Sequence, residues 1–293
     1  SVAISSDCAN NIYVIVNRRR CRIVCAKTSP PMNVDKEEKI ELLRKMIEDE
    51  PALCNFPYEN DKLLERFLRG TEFDVEEAFK KIKLYYKLIL EHPEWFTKEA
   101  PLNRKDLLEK DVRIALPAVT DKDGRPVYVA KLGNCDPSKM ALLDVIAVDD
   151  IWIESILLNS DPEKGLCVLL DIANLPWKSI KWLTPHNIMV GLKKLQCLPF
   201  KDFRFHVVNN SFILNAALKI VWPFLPEDIK KTVKFHFNNR DSLHGFIDPD
   251  VLPDEYGGRK GDINYSEIYE QLYAQNEEIF ESLQLQRNLV VIN

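Results

Sequence analysis

Glycine is the residue this chain most conspicuously lacks: nine in 293 residues, about 3% where globular proteins average about 7%. Loops that bring backbone against a phosphate need glycine, and no GxGxxG, GxxxxGK[ST] or GxSxG run occurs. Nucleotide chemistry on its usual motifs is thereby disfavoured. An excess of positive charge is missing too. Forty basic residues stand against forty-five acidic ones, with a net charge of −5 and a pI of about 5.7. No nucleic-acid partner bound through general basicity is expected. No apolar run approaches the ~20 residues that cross a bilayer, which points to a soluble, cytoplasmic protein.

The seven cysteines (Cys8, Cys21, Cys25, Cys54, Cys135, Cys167 and Cys197) are odd in number and scattered. They fit no disulfide framework and suggest a reducing compartment. Cys21-x3-Cys25 has no histidine within sixty residues, and the five histidines (His92, His186, His206, His236 and His244) show no ligand spacing. No metal is expected. Asp149, Asp150 and Glu154 could supply a carboxylate pair for acid–base work, but an acidic helix start, favoured by the helix dipole, accounts for them as well. Asp171 ends an apolar run at the edge where α/β enzymes hold catalytic groups. It has no assignable partner, and no Ser-His-acid or Cys-His set can be built. No catalytic residue and no cofactor are therefore expected.

What is present is a strand-then-helix alternation behind a helical segment. Residues 1–33 read as an appended or disordered tail. It has no acid between Cys8 and Asp35, which also fits an organellar transit peptide, and Met32 reads as a natural start. Residues 34–100 read as a small all-helical domain, with Ile40, Leu43 and Ile47 on one face and Ala78, Ile82, Tyr85 or Tyr86, and Ile89 on another. Asn60-Asp61 and Asp74 with Glu77 are helix starts, and Gly70 is a helix stop. Residues 101–262 form the second unit. Asp121-Lys-Asp-Gly124 is a turn with the strand Pro126–Ala130 leaving it. A helical region, Ala141 to Leu158, precedes the continuous apolar run Leu166–Leu170, which suits a strand buried on both faces. A helix follows from about Pro185 to Leu195. Next come the strand Phe203–Val208, an apolar helix, a short basic helix from Glu227 to Lys231, and the strand Val233–Phe237. This alternation argues an α/β domain with a mostly parallel sheet. Residues 263–293 form a C-terminal amphipathic helix and tail, with Ile268, Leu272, Ile279 and Leu283 in phase.

The apolar helix, Phe212 to Trp222, is the centre of the pattern. Asn209, Asn210 and Ser211 ahead of it can cap it, and only Asn215 and Lys219 within it are polar. A helix apolar almost all round is buried on most faces or closes over something apolar. A core helix and a lid over a hydrophobic cavity both satisfy that rule.

The ordered motifs resemble the CRAL-TRIO family of hydrophobic-ligand carriers. Leu63-Leu-Glu-Arg-Phe-Leu-Arg69 with Phe73-Asp74 resembles its helical segment. Gly124-Arg-Pro-Val127, Leu169-Leu-Asp171, Phe205-His-Val-Val-Asn209, Trp222-Pro-Phe-Leu225 and Leu252-Pro-x-x-Tyr-Gly-Gly258 match its lipid-binding domain in order and spacing. The resemblance runs from about Asp35 to Leu285 and is nearest to the α-tocopherol transfer and cellular retinaldehyde-binding group.

The resemblance implies a sheet-floored cavity closed by a mobile gate helix, about Phe212 to Leu225. Leu166, Val168 and Leu170 on one strand, Leu195, Phe205, and Phe212, Leu214, Ala217, Leu218 and Val221 on the gate would face the ligand. It implies a non-enzymatic, monomeric carrier of a tocopherol, a retinoid or another prenyl-type lipid, in transient contact with a membrane. Lys201, Arg204, Lys230, Lys231 and Lys234 form a modest basic patch that would meet acidic lipids, and a solvated face explains it equally. Relatives that dock on phosphoinositides carry more arginines; here Thr71, Phe203 and Thr232 stand in such places. Asn174 stands near a position often held by glycine, and Ser211 where proline is frequent. Rival readings are a phospholipid or phosphoinositide exchanger, a hydrolase or isomerase using Asp171 and a histidine, and a ligand-free scaffold.

Overall fold

The computed structural model describes residues 32–287. Residues 1–31, with Cys8, Cys21, Cys25 and the reading of this stretch as a tail or transit peptide, lie outside them, as do residues 288–293. The N-terminal unit is α1 (Met32–Glu48), α2 (Asp61–Arg69) and α3 (Val75–Glu91). Asn60 caps α2 by accepting from Leu63 N (2.9 Å), and Asp74 caps α3 by accepting from Glu77 N (3.0 Å), satisfying backbone donors that a helix start leaves free. Ile40, Leu43, Ile47, Ala78, Ile82 and Ile89 are buried in one core with both Tyr85 and Tyr86. Gly70 ends α2 where a Cβ would lie 2.3 Å from the Pro199 carbonyl oxygen, so the helical unit meets the second domain backbone to backbone.

The short α4 (Lys105–Leu108) leads into β1 (Arg113–Thr120) and β2 (Pro126–Lys131). Then follow α5 (Leu142–Asn159), β3 (Leu166–Asp171), α6 (Pro185–Cys197), β4 (Phe203–Val208), α7 (Leu214–Val221), α8 (Glu227–Thr232) and β5 (Val233–Phe237). The sheet order is β1-β2-β3-β4-β5. Strands β2 to β5 run parallel and β1 pairs antiparallel with β2. Strand β1 is absent from the sequence reading because Pro117 interrupts its alternation, and its ladder breaks between Ala115 and Thr120. The chain closes with α9 (Arg240–His244), α10 (Tyr265–Ala274) and α11 (Asn276–Arg287). The C-terminal helix is thus two helices broken at Gln275, and Ile268, Leu272, Ile279 and Leu283 are all buried as the periodicity predicts. The Tyr-Gly-Gly turn needs both glycines: Gly257 has φ +76, and a Cβ on Gly258 would sit 1.8 Å from the Leu252 carbonyl oxygen.

Side-chain alternation divides the sheet. Cys167, Leu169, Asp171 and His206 face α9 and the segment after it. Leu166, Val168, Leu170, Phe205 and Val207 face the layer of α5, α6 and α7. Helix α5 is the strut of that layer, and its two buried carboxylates are structural rather than the start of a helix. Asp150 meets Lys194 Nζ (2.6 Å) and Arg287 Nη1 (3.0 Å) and accepts from Thr97 N (2.9 Å). One turn on, Glu154 meets Arg66 Nη1 (2.7 Å) and accepts from Ser282 Oγ (2.5 Å) and Gln286 Nε2 (3.1 Å). One stripe of α5 therefore fastens α2, α6 and α11 together. The start of α5 is capped by Asp144, which accepts from Ala141 N at 2.8 Å.

Removing one partner from a buried ion pair strands the other charge, a cost of about 3–5 kcal/mol. Glu154→Ala is expected to lower the urea unfolding free energy by that order, and the double change Glu154→Met with Arg66→Met by clearly less. Equal losses would show that packing, not charge, holds the joint.

Candidate functional site

Between the second sheet face and α5, α6 and α7 lies a cavity of about 510 Å³, its wall almost entirely carbon. The floor is made by Leu170 and Ile172 of β3 and its continuation, Phe205 and Val207 of β4, and Val233 and Phe235 of β5, each pair two residues apart and so on one face. Helix α6 contributes Ile188, Leu192 and Leu195, and α5 contributes Val145 and Ile146. Helix α7 is the roof: Leu214, Ala217, Leu218 and Val221, at i, i+3, i+4 and i+7, form one stripe that borders the cavity. All four are only half-buried, because they border space rather than packed side chains.

Seven of the ten residues named for the ligand therefore line one cavity: Leu170, Leu195, Phe205, Leu214, Ala217, Leu218 and Val221. Three do not. Leu166 and Val168 share the face of Leu170 but lie toward the N-terminal end of β3, inside the closed core that also holds Trp152 and Phe203. Phe212 precedes the helix and is 84% exposed; α7 begins at Leu214, two residues after the sequence places it. Asn209 caps nothing there. It adopts a left-handed backbone (φ 64) and ties the strand ends instead, donating from Nδ2 to Asp171 Oδ1 at 2.6 Å and accepting from Arg240 Nη2 at 2.8 Å. Residues Val233 and Phe235, Ile188 and Leu192, and Val145 and Ile146 were missed. The period-two and i, i+4 spacings that reveal them are present in the sequence, but which face meets the cavity is not.

The wall's one charged side chain, Arg113, is already engaged. Burial opposes the charge on Arg113, but Asp149, 2.7 Å from its Nε, together with Cys135 and Tyr128 outweighs that and raises its pKa. The Tyr128 hydroxyl donates to the same carboxylate at 2.6 Å, and Asn187 Nδ2 donates to the Trp182 carbonyl at 2.9 Å. No unpaired charge awaits a headgroup among these. The gate is tied just as distinctively. From Leu214 to Leu225 no side-chain hydrogen bond or ion pair reaches the rest of the described residues; the roof is held by apolar contact, including Trp222 against Phe235 at 6.1 Å between ring centroids.

The basic patch is dispersed. Lys201 pairs with Glu72 (2.7 Å), Arg204 with Asp202 (3.2 Å) and Lys230 with Glu227 (2.7 Å). Lys231 and Lys234 are exposed with no ion pair among the described residues. Arg204 and Lys234 have the strand parity of His206 and so lie on the sheet face away from the cavity. Asp171, the one carboxylate at a strand's catalytic edge, is absorbed in structure: it accepts from Ala173 N (2.9 Å), Asn209 Nδ2 and the Tyr256 hydroxyl (3.3 Å). The strand histidines pair with each other, His206 Nδ1 to His236 Nε2 at 2.8 Å, and His236 Nδ1 meets Ser242 Oγ at 2.8 Å.

A helical unit ahead of a mostly parallel sheet, with an apolar cavity roofed by one weakly tied helix, defines a class of cavity-bearing α/β domain. Residues 113–258 match the CRAL/TRIO domain, and residues 33–105 match the Pinta-like UBA domain. Clavesin-2 of Homo sapiens is 29% identical over 227 residues, 75% of this chain and 68% of the clavesin. Clavesin-1 of Rattus norvegicus is 28% identical over 231 residues, 75% of this chain and 63% of that protein. The crystal structure of Sfh5 shares the fold with a TM-score of 0.54 at 14% identity, covering 86% of this chain and 100% of that one. The α/β part of this chain belongs to the CRAL-TRIO family.

Burial pushes His206 down to about 4, helped by the neighbouring His236, and His236 is lowered by burial as well. Both folded-state values lie below that of an unfolded histidine, about 6.5. The stability that depends on their neutrality is whole above about pH 6.5 and is lost as pH falls toward 4. His206→Phe, beside the ring of Phe246, is expected to flatten the pH dependence of unfolding between those limits. An unchanged slope would place the acid sensitivity in the carboxylates.

Proposed function

We propose that this protein binds one small hydrophobic molecule in the cavity and carries it between membranes by opening and closing α7. The observation that carries this reading is the contrast in fastening. The body is fixed by buried ion pairs, whereas the roof of the cavity rests on apolar contacts alone. Apolar contact is non-directional, so the roof lifts without breaking a polar bond, and an apolar membrane surface replaces what it loses. Exposed apolar residues on segments bordering the cavity suit that surface: Phe212, Trp177 (65% exposed), Met189 and Phe224. With Lys231 and Lys234 exposed, acidic lipids would add to the attraction.

The cargo is a tocopherol, a retinoid or a similar prenyl-type lipid. The wall offers no free charge to a phosphate, which weighs against phospholipid or phosphoinositide exchange. Each apolar side chain that the cargo shields from water gains about 1.5–3 kcal/mol if fully covered, so cargo stabilises the closed form.

Solvent extraction and mass spectrometry of the purified protein are expected to return one stoichiometric isoprenoid-type lipid; a phospholipid at one per chain would favour exchange. Val221→Asp with Trp222→Asp is expected to abolish liposome-to-liposome transfer while circular dichroism stays unchanged. Undiminished transfer in that variant would remove α7 from the mechanism.

A further inference from the structure

Of the nine glycines in the chain, one lies inside an α-helix: Gly191 in α6. Nothing in the fold requires it. Its backbone is not left-handed, and an added Cβ would meet only Trp95 Cζ3, at an ordinary 3.8 Å. Glycine is the poorest helix former after proline, and this chain uses it sparingly. What Gly191 does is leave part of the cavity wall bare. It borders the lipid cavity with Asn187 one turn before it and Leu195 one turn after, on one face of α6.

Asn187 is the one side-chain amide in that wall. Its orientation is fixed, because Nδ2 donates to the Trp182 carbonyl at 2.9 Å and a carbonyl only accepts. Oδ1 is the end left over. Among the described residues no N–H or O–H donates to it, and it is not one of the sealed, unpartnered polar atoms. The residue is half-buried, so this acceptor stands open in a wall that is otherwise almost entirely carbon. Ser179, the wall's one aliphatic hydroxyl, is turned to the Cys135 carbonyl at 3.4 Å.

We infer that Asn187 and Gly191 form the polar end of the lipid cavity and select an alcohol as cargo. The cargo's hydroxyl donates to Asn187 Oδ1, and the carbon skeleton that bears it lies against the bare backbone of Gly191. Of the oxygen functions such a lipid carries, a hydroxyl has a hydrogen to give, whereas an aldehyde, ester, ether or carboxylate oxygen only accepts. An accepting oxygen set against Oδ1 would leave two acceptors facing each other. The inference rests on the carrier reading and names the functional group of its cargo: a chromanol or a retinol rather than a retinal, a retinyl ester or a hydrocarbon.

The probes are two pairs that differ by one methyl group: all-trans-retinol with retinyl methyl ether, and α-tocopherol with its methyl ether. Both members of a pair are offered together, at equal concentration, to the full chain, and the bound lipid is extracted and counted by mass spectrometry. The alcohol is expected to outnumber the ether about fivefold in at least one pair, the worth of one neutral hydrogen bond. Asn187→Ala is expected to bring that ratio to about one. A merely structural role for Asn187 would lower the uptake of both members and leave the ratio as it was. Gly191→Ala is expected to raise the thermal midpoint of the lipid-free chain, yet to cut uptake of the preferred alcohol about fivefold at sub-saturating concentration. The wild-type ratio and Gly191→Ala carry the test if Asn187→Ala does not fold. Ether taken up as readily as alcohol in both pairs, a preference that survives Asn187→Ala, or undiminished uptake by Gly191→Ala would each overturn the inference and leave the carrier reading standing. Uptake of no member of either pair would remove the carrier reading, and this inference with it.

Discussion

Two carboxylates one turn apart on α5 hold this molecule together. Asp150 and Glu154 are buried, and burying a charge is costly unless it is paired and hydrogen-bonded. Their partners come from four separate places: Arg66 on α2, Lys194 on α6, the backbone N–H of Thr97, and Arg287, Ser282 and Gln286 on α11. Burial lowers the Lys194 ammonium below its ordinary pKa, and Asp150 works against that shift. Tyr85 of α3 joins through its hydroxyl, which donates to Gln286 at 3.0 Å. The helical unit, the α/β domain and the C-terminal helix are therefore joined through one stripe whose geometry is set by charge.

The fixed part of the cavity depends on that joint. Lys194, held by Asp150, lies beside Leu195 and on the helix that carries Ile188 and Leu192 into the wall. The same α5 that presents Asp150 and Glu154 presents Val145 and Ile146 to the cavity. Helix α7 stands outside the network. Its chain leaves β4 at Asn209, bonded to Asp171 and Arg240, and re-enters the sheet at β5. Both ends of the gate segment are anchored while its middle rests on the space below. A roof held by apolar contact and walls held by ion pairs follow from where the polar bonds fall.

The backbone carries the cost of this arrangement at the ends of the parallel strands. Asn174 after β3, Asn209 after β4 and Phe237 at the end of β5 all have positive φ. Left-handed backbone is uncommon outside glycine, though asparagine tolerates it better than most. In a chain with so few glycines, asparagine serves at two of these three turns. This accounts for Asn174 near a place where the family resemblance leads one to expect glycine.

Much of this was legible in the residues. The helical N-terminal cores, four of the five strands, the basic short helix and the apolar α7 follow from period 3.6 or period 2 apolar patterns, which local sterics enforce whatever the neighbours are. Lid or core was the question local pattern left open, and Leu214, Ala217, Leu218 and Val221 settle it only when seen bordering one space. Tertiary structure alone decided the rest. It showed β1, whose pairing comes from a partner strand rather than its own alternation. It set how far along β3 the cavity extends, leaving Leu166 and Val168 in the core. It turned Phe212 outward, and it gave Asp150, Glu154, Asp171 and His206 their roles. A side chain's period can be read along the chain, but which space it borders and which charge it meets depend on elements far away in sequence.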